Sequence, residues 1–556
     1  MKYKLKNTFK TFIFALLLAF SINSSVVIAD GNNILSSANN VVATEVSNDA
    51  VIGEIKNYVR NYYVNDFSES DLDVSTVDGL IKNLNDPYTS YLSKEEYNEF
   101  LNSLDNKFSG VGINVDMVDD GVLVVSIIAN SSAEKVGLKS GDIITRVDDF
   151  ELGNKTLEEA VSKLRGEEGT SIHIFVKRDG QTLEFDVVRK EISNSTVVSK
   201  IFSENIGYLR ISSFGDETEK DFLSAMTNLE NSNIEKLILD LRYNPGGWME
   251  SATNIAGYFI GNKKALNIED KYGNVLPVYG KDYGKVFDKP VIFLVNEYSA
   301  SSSEILSAAV KDYGKAFFIG KTTYGKGVAQ SLFNLSNGDY LKLTTLKFYS
   351  PMNNIIQNVG VRANFTVNSD IDTLAVALLF SGSLKNNTND KSDYIRITIE
   401  GYDFYIDLEE ARKDENWEMY KYIIDNIPLI NINVGKKEQW LRSDINFKRE
   451  ANSFYPGSTV LNKIEKKSED REFTINFNKK VLKNSANKQN IKLVNSETGE
   501  VIPYRFINSQ NENSIKIYIE ESLEKGVSYY MIIGDEIDSI DGENLNNTTV
   551  TTVNVI

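Results

Sequence analysis

The stretch that decides the fold is SASSSE at residues 299–304, followed by YGKG at residues 324–327 and by Gln330. The chain contains no cysteine and a single histidine, His173, which lies far upstream of this stretch. A thiol nucleophile is therefore impossible, and a serine nucleophile here is better matched by a lysine base than by a histidine. Serine–lysine pairs are an established variant of nucleophile and base. Residues 299–330 supply both partners.

Residues 296–330 resemble the catalytic block of the C-terminal-processing (tail-specific) peptidases. In that family the nucleophile is the second serine of a Ser-Ala-Ser-x-Ser-Glu string, the base is the lysine of Gly-Lys-Gly, and a glutamine four residues later orients the base. The resemblance, which covers about residues 50–380, implies these three roles for Ser301, Lys326 and Gln330. The alternative for a serine run before a helix is simple N-capping. The lysine and glutamine in family order argue against that alternative.

A second segment, LILDLRYNPGG at residues 237–247, has the pattern of a buried strand that ends in a turn. It resembles the family's Asp-Leu-Arg-x-Asn-Pro-Gly-Gly string. Glycine lets a substrate approach the backbone closely. We therefore expect one oxyanion donor at Gly246 or Gly247 and a second at the N–H of Ser302, and such donors contribute roughly 10²–10³-fold each in rate.

Residues 106–192 resemble a PDZ domain in the circular arrangement found in these peptidases. The string FSGVGI at residues 108–113 supplies a loop and strand, and AEKVGLKSGDII at residues 133–144 an interior helix and turn. The loop glycines permit a turn whose N–H groups converge on a carboxylate, and a peptide can add to the following strand by main-chain pairing. The residues expected to contact a peptide are Phe108, Gly110, Val111, Gly112 and Ile113.

The N-terminal 29 residues have the pattern of a secretory signal. Four lysines precede a short apolar run, and small residues lead to a cleavage site after Ala29. The apolar run is too short for a confident membrane span, which favours cleavage. An uncleaved anchor is the alternative. Residues 30–46 are polar and are interpreted as a linker.

Residues 47–105 are predicted to be helical, because Val51, Ile55, Val59 and Tyr63 recur at intervals of four. Within this region, DPYTSYL at residues 86–92 resembles a further family motif. We interpret it as scaffold or dimerisation surface and assign it no chemistry.

The remaining chain divides into three parts. Residues 193–382 are assigned to a serine peptidase core, for which the resemblance implies a spiral ββα (crotonase-like) fold. Residues 383–465 are interpreted as a linker and an uncharacterised segment. Residues 466–556 carry strand-like runs between turns, as in a β-sandwich, and look like a bacterial Ig-like surface domain. The predicted fold class is multidomain α/β.

Composition excludes several classes of function. A chain of 556 residues is too long for one core, so three or more domains are expected. A net charge of −18 argues against a nucleic-acid partner. His173 alternates with isoleucines and is expected on the polar face of a half-buried strand. With one histidine and no cysteine we predict no metal and no cofactor, and we interpret the acidic residues 535–543 as a solvated loop in preference to a calcium site.

Two departures from the family pattern lie at the edge of the motif set. Residues 360–364 read GVRAN where the family has Gly-Ile-x-Pro-Asp, and Asn353-Asn354 replaces a Gly-Arg pair. Both bear on substrate contacts more than on catalysis.

The sequence thus predicts an exported serine endopeptidase, secreted or on the extracytoplasmic surface, that recognises the free C-termini of protein or peptide substrates through its PDZ domain. One alternative is a catalytically silent PDZ and Ig-like cell-surface binding protein, and another is a crotonase-type acyl-transfer enzyme. Attachment to the cell envelope or a membrane and a homo-oligomer are left open.

Overall fold

The computed structural model describes residues 19–20, 47–105, 107–128, 130–178, 180–193, 195–368, 370–384, 390–448 and 451–556. The predicted signal segment and the linker at 30–46 therefore lie outside the described residues, apart from residues 19–20. The chain forms two compact units. The first comprises the described residues up to Ile201 together with Gly207–Ala316 and Thr322–Arg362, and the second comprises Phe202–Ile206, Phe317–Lys321 and Ala363–Ile556.

The first unit begins with helices. They span Asn48–Tyr62, Val77–Asn83 and Lys94–Leu104, with a 3₁₀ turn at Glu69–Leu72. The residues spaced by four, Val51, Ile55 and Val59, are buried and share a core cluster with Leu341 and Leu343. The helix therefore occurs where the spacing predicts it, and its apolar stripe packs on a strand that comes much later in the chain.

A β-sheet with its own core follows. Its strands are, in spatial order, Ile113–Val118, Gly121–Ile127, Ile143–Val147, Ser171–Arg178 and Gln181–Val188, with Phe150–Glu151 paired to the third. Two helices, Ser132–Val136 and Leu157–Leu164, accompany the sheet. A two-stranded ribbon of Lys107–Gly110 and Lys190–Ser193 joins the start of this region to its end.

The candidate nucleophile is delivered by a partly parallel sheet. Its strands in this unit run in the order Val197–Phe202, Ile206–Ile211, Lys236–Asp240 and Val291–Val295, and the last two are parallel. The helices Thr218–Asn231, Met249–Ile260 and Ser302–Asp312 follow three of these strands. Because the ends of parallel strands meet at one sheet edge, the turns that follow residues 240 and 295 lie side by side.

A second sheet delivers the candidate base. Its order is Ala19–Phe20, Val328–Asn334, Tyr340–Tyr349, Lys264–Glu269 and Val275–Tyr279, and Ser90–Leu92 also pairs with Tyr340–Tyr349. Lys326 lies just before the second of these strands. Gln330 lies in that strand and is paired directly with Thr344.

The second unit holds a sheet where a linker and an uncharacterised segment were expected. Within residues 383–465, a four-stranded antiparallel sheet runs in the order Tyr402–Asp407, Tyr394–Ile399, Ile432–Lys436 and Gln439–Arg442. The helices of this part are Thr373–Phe380, Leu408–Ala411 and Asp414–Asn426, and the parallel strand pair Phe317–Gly320 and Phe365–Thr366 belongs to the same unit. The sequence assigned no fold to most of this segment, and the sheet supplies one.

The C-terminal residues form two sheets around one core. The larger sheet consists of Thr459–Val460, Ile464–Lys466, Thr549–Val555, Ser528–Ile533 and Ile491–Asn495, and the smaller of Glu472–Asn476, Ser514–Ile519 and Tyr504–Ile507. Buried residues from both sheets form a single apolar cluster. The strand-like runs of the sequence are therefore strands, while their assignment to an Ig-like domain stays a prediction.

Two truncated chains test whether the four-stranded sheet of the second unit is needed for folding. Phe317 packs with its ring centroid 4.6 Å from that of Phe404 and 5.4 Å from that of Tyr402. A chain that stops after residue 385 loses both partners, so we expect it to unfold or aggregate, even though a spacer-type C-terminal module would permit this cut. A chain that stops after Gly457 keeps both rings and keeps Trp417 stacked on Phe454 at 3.6 Å. Thermal unfolding and gel filtration of the two truncated chains test this expectation, and a folded, active 1–385 chain would contradict it.

None of the helices within the described residues is long and apolar enough to cross a membrane.

Candidate active site

Ser301 lies in a strained turn between the strand Val291–Val295 and the helix Ser302–Asp312. Its φ is 58° and its ψ is −112°. A positive φ is costly for a residue with a side chain, and such strain is concentrated at functional sites. The turn is held by the N–H of Ala300, which donates to the carbonyl of Asn244 at 3.0 Å. The neighbouring strand end therefore fixes the position of Ser301.

Hydrogen bonding distinguishes the four serines of this stretch. The Oγ atoms of Ser299, Ser302 and Ser303 donate to the carbonyls of Leu241, Gly247 and Asn244 at 2.8, 2.9 and 2.9 Å. Among the residues that the structure describes, the buried Oγ of Ser301 has no hydrogen-bond partner. Ser301 stands at the N-cap position of the helix, yet its hydroxyl does not cap it. Three of the serines fasten the turn, and one hydroxyl is left for chemistry.

Glu304 links the nucleophile turn to the base. Its Oε2 accepts hydrogen bonds from the N–H groups of Ser301 and Lys326, both at 2.8 Å. Its Oε1 accepts from the hydroxyl of Thr323 and the N–H of Gly325, both at 2.6 Å. Two donors on one oxygen cannot be farther apart than the sum of their distances to it, so this carboxylate brings the backbones of Ser301 and Lys326 together. The sequence alone assigned Glu304 no role, although this residue is part of the motif.

Burial shifts the pKa values of both Lys326 and Glu304 toward their neutral forms. Burial lowers the pKa of Lys326 well below its ordinary value of 10.5, and the charge of Lys342 lowers it further, while Glu304 and Asp86 act in the opposite direction. Burial also raises the pKa of Glu304 to about 7, and its four accepted hydrogen bonds oppose that rise. Desolvation thus favours the neutral amine, the form that a general base requires.

The segment at residues 86–92, interpreted from the sequence as scaffold or dimerisation surface, forms a wall beside the candidate base. The Nζ of Lys326 lies 4.7 Å from the ring centroid of Tyr88. The hydroxyl of Thr89 donates to the carboxylate of Asp86 at 2.7 Å and accepts from the N–H of Thr344 at 3.1 Å. Tyr88 lies in the N-terminal helical region, far from Lys326 along the chain. No local pattern in the sequence could therefore reveal their contact.

Gln330 is buried beside this wall. Its Nε2 donates to the hydroxyl of Thr344 at 3.2 Å. Its Oε1 is buried and has no hydrogen-bond partner in the described part of the chain. The structure therefore fixes the side chain of Gln330 and leaves one acceptor unpaired, but it contains no hydrogen bond from Lys326 to that acceptor.

The two candidate oxyanion glycines differ. The N–H of Gly246 already donates to Oδ1 of Asn244 at 2.9 Å. The N–H groups of Gly247 and Ser302 have no acceptor within the described residues. A Cβ on Gly246 would lie 2.8 Å from the Cβ of Ser301 and 3.0 Å from the nitrogen of Ser302. Gly246 therefore permits the close approach of the two turns, and Gly247 carries the available donor.

Comparisons with known proteins agree with this geometry. Residues 205–367 match the model of peptidase family S41, and residues 109–188 match that of the PDZ domain. The chain is 32% identical over 354 residues to the carboxy-terminal processing protease CtpB of Bacillus subtilis, a match that spans 62% of this chain and 73% of that protein. The chain belongs to the carboxy-terminal processing proteases of peptidase family S41. It is a serine protease with a PDZ domain.

Two further relatives are similar to this protease. A probable CtpA-like serine protease of Staphylococcus epidermidis is 30% identical over 383 residues, which is 68% of this chain and 78% of that protein. The solved structure of a photosystem II D1 C-terminal processing protease is 23% identical, covers 58% of this chain and 94% of its own, and has a TM-score of 0.39.

The PDZ domain of the protease has an open sheet edge beside its glycine loop. Ile113–Val118 is an edge strand of the sheet, paired on one side with Gly121–Ile127. Gly112 has a φ of 91°, and a Cβ there would lie 2.1 Å from the Cβ of Ser131. Gly110 and Val111 are buried in the loop, whereas Ile113 is half-buried. Phe108 lies on the strand Lys107–Gly110, and its side chain is outside what the structure describes.

His173 of the protease lies on the polar face of its strand, between the buried residues Ile172 and Ile174. Its Nδ1 is 2.7 Å from Asp186 Oδ1 and its Nε2 is 3.3 Å from Glu184 Oε2. The hydrogen bond with Asp186 is the main cause of its raised pKa. These contacts account for the histidine without a catalytic role.

Asn353 and Asn354, which stand where the family has a Gly-Arg pair, form a hydrogen-bonded turn. Asn353 has a φ of 65°, a left-handed conformation that asparagine tolerates better than most residues and that glycine adopts freely. Its Oδ1 accepts from Nδ2 of Asn267 at 2.7 Å. Asn354 Nδ2 donates to Asp312 Oδ1 at 3.0 Å. In this protease the two asparagines therefore have a structural role in the turn.

Proposed function

We propose that the protease is an exported serine endopeptidase with a Ser301–Lys326 dyad. The observation that carries this proposal is the difference between Ser301 and the three neighbouring serines. One serine hydroxyl of four is unpartnered, and it lies in a strained turn tied through Glu304 to a buried lysine whose neutral form is favoured. Dyad geometry in an unliganded active site is often looser than in the substrate complex, so the unmade hydrogen bond to Ser301 Oγ is compatible with catalysis.

The reaction proceeds in two halves. Oγ of Ser301 attacks the scissile carbonyl carbon while its proton passes to Nζ of Lys326. The oxyanion is held by the N–H groups of Gly247 and Ser302. Lys326 then returns the proton to the departing amine, which leaves an ester on Ser301. Water, deprotonated by Lys326, cleaves that ester and restores both residues. The unpaired Oε1 of Gln330 provides an acceptor that can orient the lysine during these transfers.

We test the proposal by incubating the purified full chain with an unfolded protein, with and without Ser301→Ala. Cleavage by the unsubstituted protein alone supports it. Equal cleavage by both would point to a contaminant, and no cleavage by either would favour a silent PDZ and Ig-like binding protein. The proposed export rests on the signal pattern of residues 1–29 and is tested by fractionating cells that produce the chain.

The PDZ domain is proposed to bind the free C-terminus of a substrate and to gate the active site. The edge strand Ile113–Val118 offers main-chain pairing, and the loop at 110–112 offers N–H groups for the carboxylate. A bound tail peptide can shift the equilibrium between open and closed states of the active site only by the difference in its affinity for the two states.

A substrate with an amidated C-terminus is expected to show about a tenfold lower kcat/KM than the free acid, because a charge-assisted hydrogen bond is lost. Gly112→Ala, which places a Cβ against Ser131, should reduce this difference, whereas Gly137→Ala, where nothing lies within 4 Å, should keep it. Equal cleavage of acid and amide by the unsubstituted protease would show that the domain has another partner.

A further inference from the structure

A second lysine is buried next to the proposed base. Lys342 is 8% exposed, and its Nζ makes no hydrogen bond or salt bridge within the described residues. Its Nζ lies 5.7 Å from the ring centroid of Phe100. A lysine whose side chain is largely buried without a carboxylate partner is costly, and functional sites are where such residues are found.

The strand Tyr340–Tyr349 places Lys342 on the face that supports the catalytic residues. Side chains two apart on a strand share a face, so Lys342 lies on the same side as Thr344, which binds Gln330. Lys342 is also paired with Ser90, two residues after the Tyr88 ring that contacts Lys326. The segment at 86–92 therefore lies against both lysines.

We propose that Lys342 is a positioning residue of the protease, whose buried positive charge keeps the amino group of Lys326 unprotonated before catalysis. This inference rests on the proposed role of Lys326 as the base. Like charges in a low-dielectric environment disfavour each other, and the more deeply buried partner gives up its proton first. Lys326 is the more deeply buried, so Lys342 carries the charge.

The charged groups around the pair agree with this assignment. Burial lowers the pKa of Lys342 to about 8, and Asp86 opposes that change. Lys342 is therefore largely protonated at neutral pH and can lower the pKa of Lys326. The carboxylates that bear on Lys326 are Glu304 and Asp86. The ring of Tyr88 lies against its Nζ. On the helix that covers Lys342, Tyr97 stacks on Tyr340 at 3.6 Å.

The test is the pH dependence of Ser301 labelling by a fluorophosphonate, which reports the reactivity of the dyad without a peptide substrate. In Lys342→Gln, Lys326 should hold its proton to higher pH. We expect half-maximal labelling to move up by about one pH unit, with about tenfold slower labelling below it and recovery at high pH. Lys342→Arg keeps the charge and should keep the original profile. Lys347→Gln, a half-buried lysine on the same strand, is the matched control.

Two results would overturn the proposal. One is an unshifted profile in folded Lys342→Gln, and the other is a loss of labelling at every pH, which would indicate a direct role. If Lys342→Gln does not fold, an NMR titration of the lysine amino groups in the intact chain decides. Two lysines with coupled titrations well below 10.5 support the proposal, and a single perturbed lysine contradicts it. Labelling that survives Lys326→Ala would instead refute the proposed base itself.

Discussion

Lys326→Arg is expected to abolish proteolysis as completely as Ser301→Ala, with a loss of at least about 10³-fold in kcat/KM. A guanidinium group cannot give up its proton at neutral pH, so it cannot accept one from Ser301. Lys326→Ala should fail equally, because the two residues act as one unit. Peptide cleavage measured with enzyme from parallel purifications, each checked for folding by circular dichroism, gives the result.

The control for this experiment is His173→Ala, which should retain activity because its imidazole contacts Asp186, Glu184 and the ring of Phe175 within its own sheet. Chelators should have no effect on the unsubstituted protease. Near-normal activity in Lys326→Arg would exclude the lysine as a base.

Glu304→Gln is expected to reduce both activity and stability. Four donors converge on the Glu304 carboxylate, and an amide oxygen can accept from at most two of them. Each buried donor left without an acceptor costs about 1–3 kcal/mol, so the free energy of unfolding should fall by about 2 kcal/mol or more. The displaced backbones of Ser301 and Lys326 should lower kcat/KM by about 10²-fold, the effect expected for a misplacement of about 1 Å.

Glu235→Gln, an exposed substitution of the same kind in the same unit, is the matched control and should change neither quantity. The unsubstituted protease provides a second readout. The pKa of Glu304 is raised to about 7, so its carboxylate gains a proton as the pH falls through 7 and must then release a donor. Activity should therefore decline below pH 7. A fully active and stable Glu304→Gln would show that this carboxylate does not organise the site.

The sequence predicted the parts of the site that lie within single motifs. The candidate serine, lysine and glycine turn were identified from short motifs, which can be recognised without knowledge of the fold. The serine run alone could not identify its reactive member, because the distinguishing feature is which hydroxyl lacks a partner. The hydroxyls of Ser299, Ser302 and Ser303 donate to carbonyls 58, 55 and 59 residues earlier, in the turn that follows the strand Lys236–Asp240.

The missed parts depend on long-range contacts. The ring of Tyr88 lies against Nζ of Lys326, and the charge of Lys342 lowers the pKa of Lys326. Neither residue belongs to a local pattern that signals chemistry. The choice between Gly246 and Gly247 could not be predicted either, since it depends on the hydrogen bond that the N–H of Gly246 donates to Oδ1 of Asn244. The four-stranded sheet within residues 383–465 was not predicted, because its apolar alternation is short and follows a polar run.

The most direct test of the central claim is to map the site of fluorophosphonate labelling by mass spectrometry in the unsubstituted protease and in Lys326→Met. The account predicts one adduct per chain, on Ser301, and no adduct at neutral pH once Lys326 is replaced. An adduct on Ser299, Ser302 or Ser303, or undiminished labelling of Lys326→Met, would contradict it.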